Sequence, residues 1–179
     1  YREIEPVIRP EALLATNTSS IPLETLSQVL SYPERLVGVH FFNPVAQMQL
    51  VEIVSGANTS PEAAKQAAAF VRHIDRLPLP VKSSPGFLVN RVLMPYLLEA
   101  VALESEGVPA AAIDAAATRF GMPMGPILLA DTVGLDICLS VAEILSKQLH
   151  GRVPDRLREL VAAGRLGRKS GQGFYAYNK

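Results

Sequence analysis

The sequence predicts a mixed α/β fold, mainly α, with an α/β unit over residues 1–84 and an all-helical unit over residues 85–179. Three observations predict it. Short apolar runs at 12–16, 36–41, 49–54 and 79–81 alternate with amphipathic stretches in the first half. Ser83-Ser84-Pro85-Gly86 is a strong break in pattern. Beyond it the apolar spacing is helical throughout.

Each element has a local reason. Ile4, Val7 and Ile8 give a short helical stripe that stops near Pro10. Residues 12–16 read as a short buried strand, followed by the polar turn Asn17-Thr18-Ser19-Ser20. Pro22 starts a short helix with Leu23, Leu26, Val29 and Leu30 directed inward. Residues 36–41 and 49–54 are two further strands. Ser60-Pro61-Glu62 is a helix start, a hydroxyl cap followed by proline at the first helical position, and Ala64, Ala67, Ala68, Val71 and Ile74 supply the apolar face. Prolines on two sides of 79–81 mark an edge strand.

In the second half, residues 87–106 form a long helix with Pro95 as a kink or local break. Gly107 ends it, and Pro109 opens a helix that stops at Gly121. Met122-Pro123-Met124-Gly125-Pro126 is a rigid connector. Helices follow over 127–132, 135–149 and 154–163, with Gly164 as a stop. Residues 165–173 read as a basic, flexible loop, and Phe174-Tyr175-Ala176-Tyr177 as a short apolar tail. Strand and helix alternating, then helix alone, is how a nucleotide-binding α/β unit joined to a helical domain reads.

Composition narrows the function. Lys plus Arg and Asp plus Glu each number 17, for a net charge of 0, which argues against a nucleic-acid binder held by a broad basic surface. No apolar tract is long enough for a membrane span, and no charged-then-apolar export signal opens the residues. Cys138, the single cysteine, cannot form an internal disulfide and points to a reducing cytoplasm; its apolar neighbours make it a buried, inert thiol. Tyr1-Arg2-Glu3-Ile4 reads like the middle of a helix, and no G-x-G-x-x-G follows a strand. The expectation is a slice of a longer polypeptide whose phosphate-binding unit lies ahead of Tyr1.

The chemistry concentrates on one acid. Glu52 sits in Leu50-Val51-Glu52-Ile53-Val54, a setting costly for a carboxylate without a partner. The candidate partner is His40, at the end of the apolar run Gly38-Val39-His40-Phe41-Phe42. A His–carboxylate pair is a general-base device, because the acid fixes the ring tautomer and stabilises its protonated form. Taken singly, each candidate also has a plain structural reading. His40 serves as a satisfied core residue, Glu52 as part of a solvated strand face, the 17–20 turn as a helix cap, and Asn90 as a backbone partner. His73 and His150 read as solvent-facing, and Arg165, Arg168 and Lys169 as a solvated loop rather than a phosphate site.

The segments Asn17-Thr18-Ser19-Ser20, His40-Phe41-Phe42-Asn43-Pro44, Leu50-Val51-Glu52 and Pro85-Gly86-Phe87-Leu88-Val89-Asn90-Arg91 occur in order, followed by Pro123-Met124-Gly125-Pro126, Asp131-Thr132-Val133-Gly134-Leu135-Asp136 and Gly171-Gln172-Gly173-Phe174-Tyr175. Together they closely resemble the L-3-hydroxyacyl-CoA dehydrogenase family over essentially the whole chain. The resemblance implies the C-terminal portion of a Rossmann-type NAD-binding domain followed by a helical substrate and dimerisation domain. It implies His40 as the general acid/base, Glu52 as its orienting acid, Ser19 and Asn90 as substrate-binding residues, Asn17 and Ser19 as cofactor-binding residues, and no metal. It also implies NAD as cofactor, an acyl-CoA substrate, a homodimer through the helical half and a cytoplasmic setting. Ser20-Ile21-Pro22, 119–126 and Gly173-Phe174-Tyr175-Ala176-Tyr177 resemble the multifunctional members that fuse an enoyl-CoA hydratase to the dehydrogenase. A stand-alone 3-hydroxybutyryl-CoA dehydrogenase, a sugar-acid dehydrogenase of the same architecture, and a non-catalytic dimerisation or acyl-CoA-binding module are the alternatives.

Overall fold

Two strands buried on both faces organise the first half of the chain. In the computed structural model, which describes residues 1–19, 21–149 and 152–178 (backbone only at 148 and 149), four strands form one sheet. They are β1 (Leu14–Thr16), β2 (Leu36–Phe41), β3 (Leu50–Ser55) and β4 (Leu77–Lys82), side by side in that order. The pairs β1/β2 and β3/β4 are parallel, and β2/β3 is antiparallel. The short stretch between Phe41 and Leu50 dictates the antiparallel pair, because a parallel return needs a crossover of a dozen residues or more.

Both faces of β2 and β3 are covered. Val37, Val39, Val51 and Ile53 pack with Ala67 and Val71 of α2 (Pro61–His73). On the other face Leu36 and Val54 pack with Leu14, Leu23 and Phe87, where Leu23 opens α1 (Leu23–Ser27). Burial of each of the valine, leucine, isoleucine and phenylalanine side chains contributes about 1.5–3 kcal/mol. Gly38 lies in the second row, where a Cβ would come 2.7 Å from Val54 Cβ, so only glycine lets the strands close there. Ser60 caps α2 by accepting from Ala63 N at 3.1 Å.

On β4, Leu77 N and Ser83 N donate to Gln49 and Ser55 carbonyls of the β3 side. Pro78 and Pro80 therefore fall on the outward alternation, where an edge strand needs no N–H donors.

The chain divides into two units, Tyr1–Leu88 and Val89–Lys179. The second is helical: α3 (Val89–Ser105), α4 (Ala110–Phe120), α5 (Pro126–Val133), α6 (Leu135–Leu149) and α7 (Asp155–Ala162). Its core includes Leu97, Val101, Ile127, Leu135, Ala142 and Leu157. Gly107, Gly121 and Gly164, all at positive φ, stop the helices they follow. Cys138 is buried, and that burial pushes its thiol up to about 12.

Four elements differ from the sequence expectation. The 4–8 stripe is only a 3-10 turn over Glu5–Val7; Val7 is exposed and Glu5 is buried, because Glu5 accepts from Ser31 N and Tyr32 N at 2.7 and 2.9 Å. Val29 is exposed because α1 ends at Ser27. The helix through Pro95 is continuous, with Pro95 and Arg91, whose carbonyl loses its partner, both on the exposed side. The 165–173 segment is not a free loop. Arg165 donates to Gly173 O at 3.1 Å, Lys169 to Asp136 at 2.7 Å, and Arg168 lies 5.4 Å from the centre of the Tyr177 ring.

The tail that follows docks on Asp131. This fully buried carboxylate accepts from Phe174 N and Tyr175 N at 3.0 Å each and from Tyr177 Oη at 2.8 Å. A Cβ at Gly173 would lie 2.0 Å from Asp131 Oδ1. Asp114 accepts from Ile127 N and Leu128 N at the start of α5 and from Tyr175 Oη.

Candidate active site

The register of β2 against β3 sets His40 directly opposite Glu52. Facing residues of an antiparallel pair project from the same side of the sheet with Cβ atoms about 4.5–5.5 Å apart. Imidazole and carboxylate therefore meet across one ladder step: His40 Nδ1 lies 2.7 Å from Glu52 Oε2. Glu52 is 0% exposed and His40 5%. They continue the same row as Leu36, Gly38 and Val54, so two polar groups extend an otherwise apolar core face.

The second carboxylate oxygen is also engaged. Leu88 N donates to Glu52 Oε1 at 2.9 Å. Two rings flank the imidazole edge-on, Phe42 at 4.7 Å and 63°, and Phe87 at 5.4 Å and 68°. Phe87 has φ of +48° and follows Gly86 at +71°. A bulky residue in the left-handed region costs about 1–2 kcal/mol. The sequence places Phe87 at the start of a helix; the structure places it in the turn before α3. The adjacent Gly86 is the only local hint of that geometry.

Asn17 lies just past β1, and its Oδ1 accepts from Phe41 N at 3.0 Å, next to His40. Because β1 and β2 are parallel, the turn holding the half-buried Ser19 sits at the sheet edge where β2 delivers His40. Thr18 Oγ1 accepts from Ile21 N at 3.0 Å within that turn. Ser20 and His150 lie outside the described residues. Asn90 is the second residue of α3, half-buried, in the helical unit. His73, at the end of α2, is exposed.

Two cavities lie away from this pair. One of about 390 Å³, lined by Leu13, Ala15, Val39, Phe41 and Phe70, opens on the α2 face of the sheet. His40 and Glu52 face the other way. The second, about 930 Å³, lies among α3, α6 and α7 of the helical unit. Among the described residues no group of three His, Cys, Asp or Glu side chains could hold a metal ion, and no helix is long and apolar enough to cross a membrane.

Comparison with known proteins bears on both units. Residues 1–84 match the family profile described as 3-hydroxyacyl-CoA dehydrogenase, NAD binding domain, and residues 86–177 match 3-hydroxyacyl-CoA dehydrogenase, C-terminal domain. A probable 3-hydroxybutyryl-CoA dehydrogenase of Deinococcus radiodurans is 42% identical over 182 residues, covering 99% of this chain and 66% of its own. A fatty acid oxidation complex subunit alpha of Shewanella sp. (strain ANA-3) is 41% identical over 178 residues, covering 98% of this chain and 25% of its own. The crystal structure of (S)-3-hydroxybutyryl-CoA dehydrogenase from Ralstonia eutropha superposes with a TM-score of 0.94 at 40% identity, over 99% of this chain and 65% of that one. The chain thus spans just under two thirds of the first and third relatives, at 66% and 65%, and a quarter of the second, at 25%.

Proposed function

Because the chain belongs to the 3-hydroxyacyl-CoA dehydrogenase family, we propose that it carries the proton-handling part of an NAD-dependent oxidation of L-3-hydroxyacyl-CoA to 3-oxoacyl-CoA. The observation that carries this reading is the 2.7 Å contact between His40 Nδ1 and Glu52 Oε2 inside the sheet. With Nδ1 on Glu52, Nε2 is the ring atom that takes the 3-hydroxyl proton. Glu52 holds the tautomer and stabilises the imidazolium that forms, an interaction strengthened by burial. Ser19 and Asn90 are the proposed substrate-binding residues. NAD, when bound, accepts the hydride from C3.

The carboxyl edge of β1 and β2 suits the nicotinamide end, since open α/β sheets bind ligands outside the carboxyl ends of their strands. Asn17 commits its Oδ1 to Phe41 N, and its Nδ2 is the group that donates to a ligand. No G-x-G-x-x-G stands among these 179 residues to cradle the phosphates. The chain by itself is therefore proposed to bind NAD too weakly to turn over. The relatives named probable 3-hydroxybutyryl-CoA dehydrogenase and fatty acid oxidation complex subunit alpha are 42% and 41% identical, so the proposal does not choose between a stand-alone and a multifunctional parent. A fatty-acid β-oxidation role in the cytoplasm is the setting this reading assigns.

The test is His40→Gln in a chimera that places a family G-x-G-x-x-G unit ahead of Tyr1. Reduction of acetoacetyl-CoA is expected to fall by about 10²–10⁴-fold, the worth of a positioned acid/base, with acyl-CoA affinity held within a few-fold. Near-normal turnover contradicts the assignment.

A further inference from the structure

We infer that Gly86-Phe87-Leu88 is the positioning element of the His40–Glu52 pair, with Phe87 the residue on which it depends. The inference rests on the proposed general-base reading of His40 and deepens it.

The left-handed backbone at Phe87 presents two groups to the pair at once. Its own ring lies edge-on to the imidazole at 5.4 Å, and the next amide, Leu88 N, donates to Glu52 Oε1 at 2.9 Å. Extended or right-handed backbone at this residue would direct the Leu88 amide elsewhere. Such a conformation persists only where its surroundings over-determine it. Here Phe87 N donates to Ser84 O at 2.8 Å, and the ring is 3% exposed among Leu14, Leu23, Leu36 and Val54.

The consequence is a fixed pair. A carboxylate with Oε1 held on a backbone amide has its Oε2 aimed at Nδ1. An imidazole held between Phe42 and Phe87 has its plane set by two edge contacts, a preferred aromatic arrangement. Phe87 acts through His40 and Glu52, so it is a positioning residue. Its sequence neighbours explain why the device sits here. Proline and glycine at 85 and 86 turn the chain back over the sheet after β4, and α3 begins directly afterwards, at Val89.

The test reads the Nδ1 proton of His40 by nitrogen-15 NMR in the 179-residue chain, beside Phe87→Ala and Phe87→Leu. The leucine variant keeps most of the apolar bulk and serves where alanine loosens the unit. The parent chain is expected to show a downfield, slowly exchanging ring proton. In the variants that proton exchanges about tenfold faster or broadens away, as expected from loss of an aromatic edge contact, and the Leu88 amide loses protection, while the amides of Val37 and Ile53 keep theirs. An unchanged ring proton in Phe87→Leu overturns the role of Phe87 and leaves the reading of His40 standing. No such proton in the parent chain overturns both.

Discussion

Among the described residues, each unit buries one carboxylate side chain completely, and the two are satisfied in different ways. Glu52 and Asp131 are both 0% exposed. Asp131 is held by two backbone amides and the Tyr177 phenol, whose proton is retained because burial and the carboxylate itself raise its pKa well above the ordinary value. Those donors keep their protons at neutral pH, and the site fastens the tail segment to α5. Glu52 is held by the Leu88 amide and by the His40 imidazole. The same desolvation cost is offset in one place by amides and a phenol and in the other in part by an imidazole, the group to which the proposed reaction assigns proton transfer. The difference separates a carboxylate that fastens the tail segment from one to which the proposed reaction assigns proton handling.

The largest effect expected on the stability side comes from Asp131→Ala. It strands the amides of Phe174 and Tyr175 in a buried site, and charged hydrogen bonds contribute about 1.5–3 kcal/mol each. Thermal unfolding should show a loss of about 3 kcal/mol or more. A variant as stable as the parent breaks the comparison.

A smaller effect sharpens it at the surface. The Lys169 hydrogen bond is the main cause that holds the Asp136 carboxyl below its ordinary value. A lowered folded pKa contributes stability above the unfolded value, about 3.9, that is lost as pH falls through the folded value. Asp136→Asn should therefore cost at most about 1 kcal/mol at pH 7, because the pair is partly exposed. That difference should shrink in acid unfolding as pH falls through the lowered folded value. An equal loss in neutral and acid solution argues against the ion pair.

Legibility followed locality. Ser60, Gly107, Gly121 and Gly164 work on their own turns, and their roles can be read from neighbours within four residues. That Glu52 needs a partner is legible from its own strand. The antiparallel step opposite His40 is implied by the short connection between β2 and β3, although the alternation of strand and helix around it suggests parallel pairing. The partners of Glu5 lie 26 and 27 residues away and those of Asp131 43 to 46 away, so neither burial shows in a local pattern. Phe87 is hidden for another reason. An apolar residue before an apolar helix reads as the first residue of that helix, and only backbone geometry separates the two.

The most direct test of the two-carboxylate account is Glu52→Gln in the same chimera, with turnover and thermal unfolding read on one preparation. Glutamine keeps the size of the side chain and an oxygen for the Leu88 amide, but it donates to Nδ1 and stabilises the wrong tautomer. Turnover is expected to fall by at least about a hundredfold with stability changed by less than about 1 kcal/mol. Retained turnover accompanied by a stability loss as large as that of Asp131→Ala would contradict the two-carboxylate account.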